Sequence, residues 1–246
     1  MNRRLRARFS KTGKVRFTSH RDVARIWERA LRRADLPVAY TEGFSPRPKL
    51  SFGLALSTGY ESLGEYLDIN LRDDAPGGDV SCEQLPALLD PALPVGIEVQ
   101  QVVPLPPGAE SLQQAVTSCT WHVELTGPGP SAAAALVDRV LDSTEVVVTR
   151  ERKGHAVTDD IRPGILAVRV LGPGSGGDST AALEAELATQ PRSLRPAELV
   201  GALDPAIVAG RVVRIHQWTQ VGGARQEVIP LLPAATLAPH AEARAS

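Results

Sequence analysis

The hydrophobic pattern near the start of the chain predicts a strand followed by a helix. In RRLRARF, Leu5, Ala7 and Phe9 share one face and arginines occupy the other, which is typical of a strand with one buried face. Ser19, followed three residues later by Asp22, predicts a capping box. Apolar residues then recur at helical spacing until a proline ends the pattern. We therefore expect an amphipathic helix with an arginine-rich outer face.

The next segments extend this pattern to a complete unit. LPVAY, GEYLDINL and VGIEVQQVVPL predict strands, and CEQLPALLD predicts a short helix. The order β-α-β-β-α-β is that of the ferredoxin-like fold, in which two helices cover one face of an antiparallel sheet. We assign this unit to residues 1–106.

A similar order of elements follows the Pro/Gly-rich linker PLPPGAESL. Strand and helix patterns alternate over residues 113–222, although TAALEAELATQ fits either a strand or a helix. The predicted fold is therefore α+β, with tandem ferredoxin-like lobes and antiparallel sheets. Residues 223–246 are rich in Ala and Pro, and we expect a tail that is disordered at its end.

Composition indicates a cytoplasmic protein without a membrane span. The chain has 246 residues and 43% hydrophobic content, which is ordinary for a globular protein. The cysteines, Cys82 and Cys119, are too few for a disulfide framework. No apolar run resembles a signal peptide or approaches the ~20 residues that span a bilayer.

Charge is distributed unevenly along the chain. Residues 1–50 contain 14 Lys or Arg and 4 Asp or Glu, a net charge of +10, whereas the other 196 residues have a net charge of −11. A basic segment on an acidic body indicates a surface that meets phosphate, but internal pairing between the basic segment and the acidic part of the chain would give the same totals.

The basic stretch supplies the candidate RNA-binding residues. The loop TEGFSPRPKLSFG contains two prolines and two glycines, which restrict its backbone and present its cations at low entropic cost. A phenylalanine there either anchors the loop or stacks on a base. The candidates are Arg6, Arg8, Lys14, Arg16, His20, Arg21, Arg25, Phe44, Arg47 and Lys49.

Enzyme signatures are not found in the sequence. It contains no phosphate-binding GxxxxGK[ST] loop, no GxGxxG after a strand, no HExxH and no CxxC pair. Two cysteines also cannot supply the three thiolates of a radical SAM iron-sulfur cluster. We expect no metal and no cofactor, and these absences favour an accessory role over a catalytic one. A metal-independent RNA-processing or RNA-modifying enzyme that uses His20, Tyr40 and Lys49 is kept as an alternative.

The segments RLRARFSKTGKVRFTSHRD, RALRRADLPVAYTEGFSPRPKLSFG and GYESLGEYLDI resemble the bacterial family of radical SAM-linked proteins, DUF2344. DIRPG and LRPAEL are similar to its weaker C-terminal pattern. Many members read GFNPHPK, whereas this chain has Arg47 in place of the histidine, which counts against a general base there.

The resemblance implies a partner and a setting, because such proteins occur beside, or fused to, a radical SAM protein with a cobalamin-type domain. In actinobacteria they occur near a ribonuclease and ribosomal-protein genes. We therefore expect an accessory protein of unknown activity that binds structured RNA and acts with a radical SAM partner. A protein-protein adaptor without RNA is the other alternative.

Overall fold

A computed structural model describes residues 2–72, 74–152 and 154–230 as a mixed α+β structure. The strands are β1 (Asn2–Lys11), β2 (Leu50–Phe52), β3 (Glu61–Arg72), β4 (Ile97–Pro104), β5 (Val116–Thr126), β6 (Val147–Arg152), β7 (His155–Asp160), β8 (Ile165–Gly174), β9 (Gly177–Ala188), β10 (Val208–Val221) and β11 (Ala224–Glu227). The α-helices are α1 (His20–Arg33), α2 (Leu85–Leu89), α3 (Leu112–Ala115), α4 (Pro130–Asp142) and α5 (Pro196–Leu203).

Nine of these strands form one sheet, in the order β4-β1-β3-β10-β5-β9-β8, with β2 added on β3 and β11 on β10. β6 and β7 form a separate hairpin. Every pairing is antiparallel except that of β3 with β10, which joins Glu61 to Val213 and Ser62 to Arg214. The two separate sheets that we expected are thus linked by this short parallel contact.

The first helix forms as its cap and periodicity predict. The Ser19 hydroxyl accepts the backbone N–H of Asp22 at 3.2 Å and donates to the Asp22 carboxylate at 2.7 Å. The apolar face of α1 packs on β1, where the ring of Trp27 meets Phe9 edge-on at 4.9 Å between centroids. The opposite, arginine-rich face of α1 is left toward solvent.

The second predicted strand, LPVAY, is not a strand. Val38 and Tyr40 make isolated bridges to Leu71 and Pro48, and β2 lies instead inside the loop that follows. One edge of β3 pairs with β2 from Leu67 to Ile69 and with Val38 at Leu71. Neither segment therefore covers this edge alone. The proline at position 48 has no N–H to donate, which limits the pairing around Tyr40.

Two hydrophobic cores divide the helices between them. One core joins α1 and α2 to β1, β3 and β4, and the other joins α4 and α5 to β5, β8, β9 and β10. TAALEAELATQ falls in β9, where Ala181, Leu183, Ala185 and Leu187 alternate into the second core. This alternation explains why the segment is a strand, since each second residue faces the helices.

The segment that we predicted as a tail contributes to the sheet. β11 pairs with the end of β10, and Ile229 is buried against Tyr66 and Leu112 in a small third cluster. Residues 231–246, where the expected disorder falls, lie outside the described residues. None of the helices in the described ranges is long and apolar enough to cross a bilayer.

Candidate nucleic-acid interface

The outer face of α1 is a dense group of cations. The helix contains five arginines against Asp22 and Glu28. Arg25 makes an exposed ion pair with Asp22 at 3.4 Å, the kind of contact that contributes little to stability. Arg21 and Arg29 are exposed and have no carboxylate within 4 Å among the described residues. The helix therefore presents guanidinium groups that are free to bind an external anion.

The loop after α1 is closed at its base by backbone contacts. The amide of Thr41 donates to the carbonyl of Arg47 at 2.8 Å, and the amide of Arg47 donates back to the Thr41 hydroxyl at 3.0 Å. The Lys49 amide donates to Ala39 at 2.7 Å, which fixes the return of the chain. The side chain of Phe44 at the tip is fully exposed, so this ring does not anchor the loop.

Two contacts locate the loop segment beside α1. The ring of His20, at the helix start, lies edge-on to Phe52 at 5.2 Å between centroids. Further along α1, a small cleft brings Glu28 and Arg32 next to Tyr40. The segment from Tyr40 to Phe52 therefore follows the length of the helix, and its cations and those of α1 lie on neighbouring surfaces.

Three exposed aromatic rings lie within this basic region. Phe17 is 61% exposed, Tyr40 is 53% exposed, and Phe44 projects from the loop tip. The guanidinium of Arg16 lies over the Phe17 ring at 4.6 Å. These three rings therefore lie on or beside the segments that carry the exposed cations. We call the residues Lys14, Arg16, Phe17, His20, Arg21, Arg25, Arg29, Arg32, Tyr40, Phe44, Arg47 and Lys49 the basic aromatic surface.

The turn that carries part of this surface is supported from inside the protein. Lys14, Arg16 and Phe17 belong to a 3-10 turn at Gly13–Phe17. The buried ammonium of Lys11 donates to the carbonyls of Thr18 at 3.1 Å and Arg16 at 3.4 Å. Burial lowers the pKa of Lys11 below its usual value. Lys11 thus fixes the turn and does not reach the surface.

Two predicted RNA-binding residues, Arg6 and Arg8, lie elsewhere. Both point away from α1, because they alternate with the core residues of β1. Arg6 makes two hydrogen bonds to Asp68, at 2.6 and 2.9 Å, and is 7% exposed. Arg8 is 1% exposed and contacts Glu227 at 2.5 Å. They form internal ion pairs, and we leave them out of the basic aromatic surface.

The residues of the enzyme alternative are spread along the surface. His20 begins α1, whereas Tyr40 lies beside Glu28 and Arg32. At 1.5 Å of rise per residue, these positions are about 12 to 18 Å apart along the helix axis. One phosphate cannot contact both side chains. In the part of the chain that the structure describes, no group of three or more His, Cys, Asp or Glu residues could hold a metal ion.

The chain matches a known protein family. The sequence profile of a family described as "uncharacterized protein conserved in bacteria (DUF2344)" matches residues 4–196. The chain is a DUF2344 protein. No curated protein matches this DUF2344 chain. The match covers the first hydrophobic core, the whole basic aromatic surface and most of the second core, whose residues Leu199, Val200, Leu203 and Val212 lie beyond it.

The candidate RNA-binding residues of this DUF2344 protein did not include four members of the basic aromatic surface: Phe17, Arg29, Arg32 and Tyr40, the last of which was named only for the enzyme alternative. Phe17 follows Val15 and Arg16 in an apparent strand-like alternation, which hides that its ring is exposed in a 3-10 turn. Arg29 and Arg32 follow from the helical spacing of Arg21 and Arg25, which would have been enough to include them. An exposed aromatic next to an arginine was the available signal at Phe17.

Proposed function

We propose that this protein is an accessory RNA-binding protein whose basic aromatic surface holds a structured RNA at unpaired bases. The observation that carries the proposal is the exposure of Phe17, Tyr40 and Phe44 on or beside segments that carry exposed Lys and Arg side chains; the cleft at Tyr40 also contains Glu28 and Asp35. Unpaired bases stack on aromatic rings, while Lys and Arg neutralise the phosphates between them. A purely acidic protein partner would use the cations but leaves three exposed rings without a role.

The cations of α1 would supply most of the affinity. Guanidinium groups on successive turns of one helix face can contact consecutive phosphates, and such contacts do not read base sequence. If about six phosphates are contacted, the logarithm of affinity falls with the logarithm of salt concentration with a slope of roughly −4 to −5. The rings, not the cations, would then select unpaired over paired RNA.

We further propose that the protein acts with a radical SAM partner. The proposal is supported by the sequence resemblance described above, in which the loop GFSPRPK and the α1 region match radical SAM-linked proteins. A protein that holds RNA is suited to present that RNA to an enzyme. Copurification of a radical SAM protein with the full chain, tested with and without nuclease, would check the partnership and its dependence on RNA.

We also propose that residues 1–106 and 113–222 are tandem ferredoxin-like units. The support is the strand order β4-β1-β3-β2 in the first half and β10-β5-β9-β8 in the second, with antiparallel pairing inside each. In each half the first strand lies between the third and fourth, as in a split βαβ arrangement. The β6-β7 hairpin is then an insertion in the second unit.

Charge reversal on α1 tests the proposed function. The double substitution of Arg21→Glu with Arg25→Glu should weaken binding of total cellular RNA strongly, because two attractive side chains become repulsive. Both side chains are exposed, so the thermal unfolding temperature should change little. Gel-shift titrations at two salt concentrations measure the affinity and the salt slope.

A matched control comes from the other half of the molecule. Arg169 is 68% exposed in β8, and Arg169→Glu makes the same charge change as Arg21→Glu alone. We expect Arg169→Glu to bind RNA nearly as the wild type does, while Arg21→Glu binds less. Equal affinities for these two single variants, or no binding by the wild type, would contradict the proposal and favour a protein partner.

Phe44→Ala separates base stacking from charge. The ring is fully exposed, so its removal should leave stability unchanged. Loss of one stacked base should weaken binding of single-stranded RNA by ~1 to 3 kcal/mol without altering the salt slope. A duplex RNA of the same length should show no difference between wild type and variant.

A further inference from the structure

A buried carboxylate lies at the junction between the two halves, next to the basic aromatic surface. Glu61, the first residue of β3, is 3% exposed. Its carboxylate accepts hydrogen bonds from the Gly13 amide at 2.8 Å, from Arg16 Nη1 at 3.3 Å and from Arg211 Nε at 2.6 Å. Arg16 belongs to the first half and Arg211 to β10 of the second.

Both arginines keep most of their donors free. A guanidinium has five N–H groups. Within the described residues, Arg211 donates through its Nε–H to Glu61, and Arg16 donates through Nη1 to Glu61 and, at 3.5 Å, to the Gly13 carbonyl. The side chain of Arg211 is 58% exposed and that of Arg16 is 38% exposed. Because they bond opposite oxygens of one carboxylate, the two guanidinium groups are held close together, and both side chains are partly open to solvent.

The electrostatic state of Glu61 is suited to this role. Burial alone would raise the pKa of Glu61, but hydrogen bonds from Arg211 and from the Gly13 amide outweigh it, and the pKa lies below its usual value. The carboxylate is therefore ionised at neutral pH and can hold both cations in place. Free guanidinium N–H groups of this kind bind phosphate oxygens through strong, charge-assisted hydrogen bonds.

We propose that Arg16 and Arg211 form a clamp for one backbone phosphate of RNA, with Glu61 as the residue that positions both. The proposal rests on the proposed function, because Arg16 belongs to the basic aromatic surface. The Phe17 ring, over which the Arg16 guanidinium lies, is next to the clamp and available to an adjacent base. The bound RNA therefore crosses from the first half of the molecule to the second.

Substitution of Arg211, which lies outside the basic aromatic surface, gives the direct test. Arg211→Ala should weaken binding of a labelled single-stranded RNA of mixed sequence roughly tenfold and make the salt slope shallower by about one phosphate, ~0.7. Arg169→Ala, which removes an exposed arginine from β8 in the same half, is the control and should change neither quantity. Circular dichroism checks that both variants are folded.

Glu61→Gln provides a test whose sign separates positioning from simple charge. Loss of a negative charge near an RNA site would tighten binding if Glu61 only repelled phosphate. If Glu61 holds the clamp, Glu61→Gln weakens binding, and Arg211→Ala adds little in that background. The glutamine side chain is comparable in size to that of glutamate, so the fold should be retained. Thermal unfolding of the variant is recorded beside the titrations.

The outcomes distinguish the clamp from the proposed function. If Arg211→Ala binds like Arg169→Ala while Arg21→Glu still binds less, the basic aromatic surface binds RNA and the clamp is wrong. Tighter binding by Glu61→Gln also overturns the clamp. If Arg21→Glu binds like the wild type, the proposed function itself fails and the clamp fails with it.

Discussion

Arg8 is a buried cation that connects the first strand to the end of the described chain. Its guanidinium contacts the Glu227 carboxylate at 2.5 Å and donates to the Tyr66 hydroxyl at 2.9 Å and the Ile229 carbonyl at 3.1 Å. Gln100 accepts from its Nε at 2.8 Å. A buried charge with this many partners favours one arrangement of these segments. In any other arrangement, the polar groups that now contact Arg8 would be buried without a hydrogen-bond partner.

Removal of Arg8 should therefore be costly. We expect Arg8→Ala to lower the free energy of unfolding by about 3 to 5 kcal/mol, since the buried Glu227 carboxylate loses its guanidinium partner and keeps the His216 ring, at 3.0 Å. Urea denaturation followed by tryptophan fluorescence measures the change. Arg4→Ala is the control: Arg4 is 33% exposed and shares Asp68 with Arg6, so its loss should cost much less.

The roles of the arginines on β1 illustrate where sequence reasoning stops. The alternation of Leu5, Ala7 and Phe9 gives the buried face of β1 correctly. It cannot tell whether the opposite face meets solvent or another segment. Arg6 finds its carboxylate 62 residues later along the chain, and no local pattern indicates that pairing. The arginines of α1 were predictable because their spacing alone defines the helix face.

At the scale of elements, a glycine fixes the connection into β4. Gly96 has φ of +99°, in the region that favours glycine, and a Cβ at this position would lie 2.3 Å from the carbonyl oxygen of Thr12. The Gly96 carbonyl accepts the Thr12 amide at 2.8 Å. This contact holds the end of β1 beside the start of β4, just before the turn that bears Arg16.

We expect Gly96→Ala to be much more destabilising than a matched change at Gly108. Gly108 also has positive φ, +79°, but a Cβ there meets nothing within 4 Å. Gly108→Ala should cost only the backbone strain, about 1 to 2 kcal/mol, whereas Gly96→Ala adds a backbone clash. The difference in thermal unfolding temperature checks this. Equal temperatures would contradict the close approach of Gly96 to Thr12.

Elements with complete local signals were predicted, and those defined by pairing partners were not. α1 has a cap, a period and a stop in its own sequence. LPVAY has the composition of a strand, but it shares the edge of β3 with β2. The available pairing partners, and not the composition, therefore decide whether this segment forms a strand. β11 has no hydrophobic alternation of its own and forms because β10 continues past its short contact with β3, which leaves that edge of β10 open to receive it.

At the scale of the whole molecule, ion pairs reinforce the short parallel contact between β3 and β10. Only two residue pairs join those strands. Arg214 makes a bidentate contact with Glu65, at 2.6 and 2.8 Å, and it is 1% exposed. Together with the partners of Glu61 and Glu227, this contact makes the junction more charged than either hydrophobic core.

The junction should accordingly weaken in acid. For both Glu61 and Glu227, burial would raise the pKa, but hydrogen bonds from Arg211 and Gly13 to the former, and from His216 and Arg8 to the latter, lower it below 4.5. A lowered folded-state pKa contributes stability above about pH 4.5 that is lost as pH falls through the folded value. Glu61→Gln should reduce this dependence.

Urea denaturation at neutral pH and at about pH 3.5 measures the effect. The wild type should lose more stability between these conditions than Glu61→Gln does, because the variant has no carboxylate to protonate at that position. Glu110→Gln is a suitable control for charge, since Glu110 is exposed and its carboxylate takes part in none of the ion pairs described above. An identical loss of stability in the wild type and in both variants would show that Glu61 does not contribute to the acid dependence.

The partnership between Arg8 and the last described strand also orders events during biosynthesis. Ile229 follows Arg8 by 221 residues. At about 5 to 20 residues per second, the ribosome needs roughly 10 to 45 s to add them. Throughout that interval the nascent first half holds a guanidinium whose carboxylate has not been made. The final packing of Arg8 is therefore a late event, which follows the emergence of β10 and β11 from the ribosome.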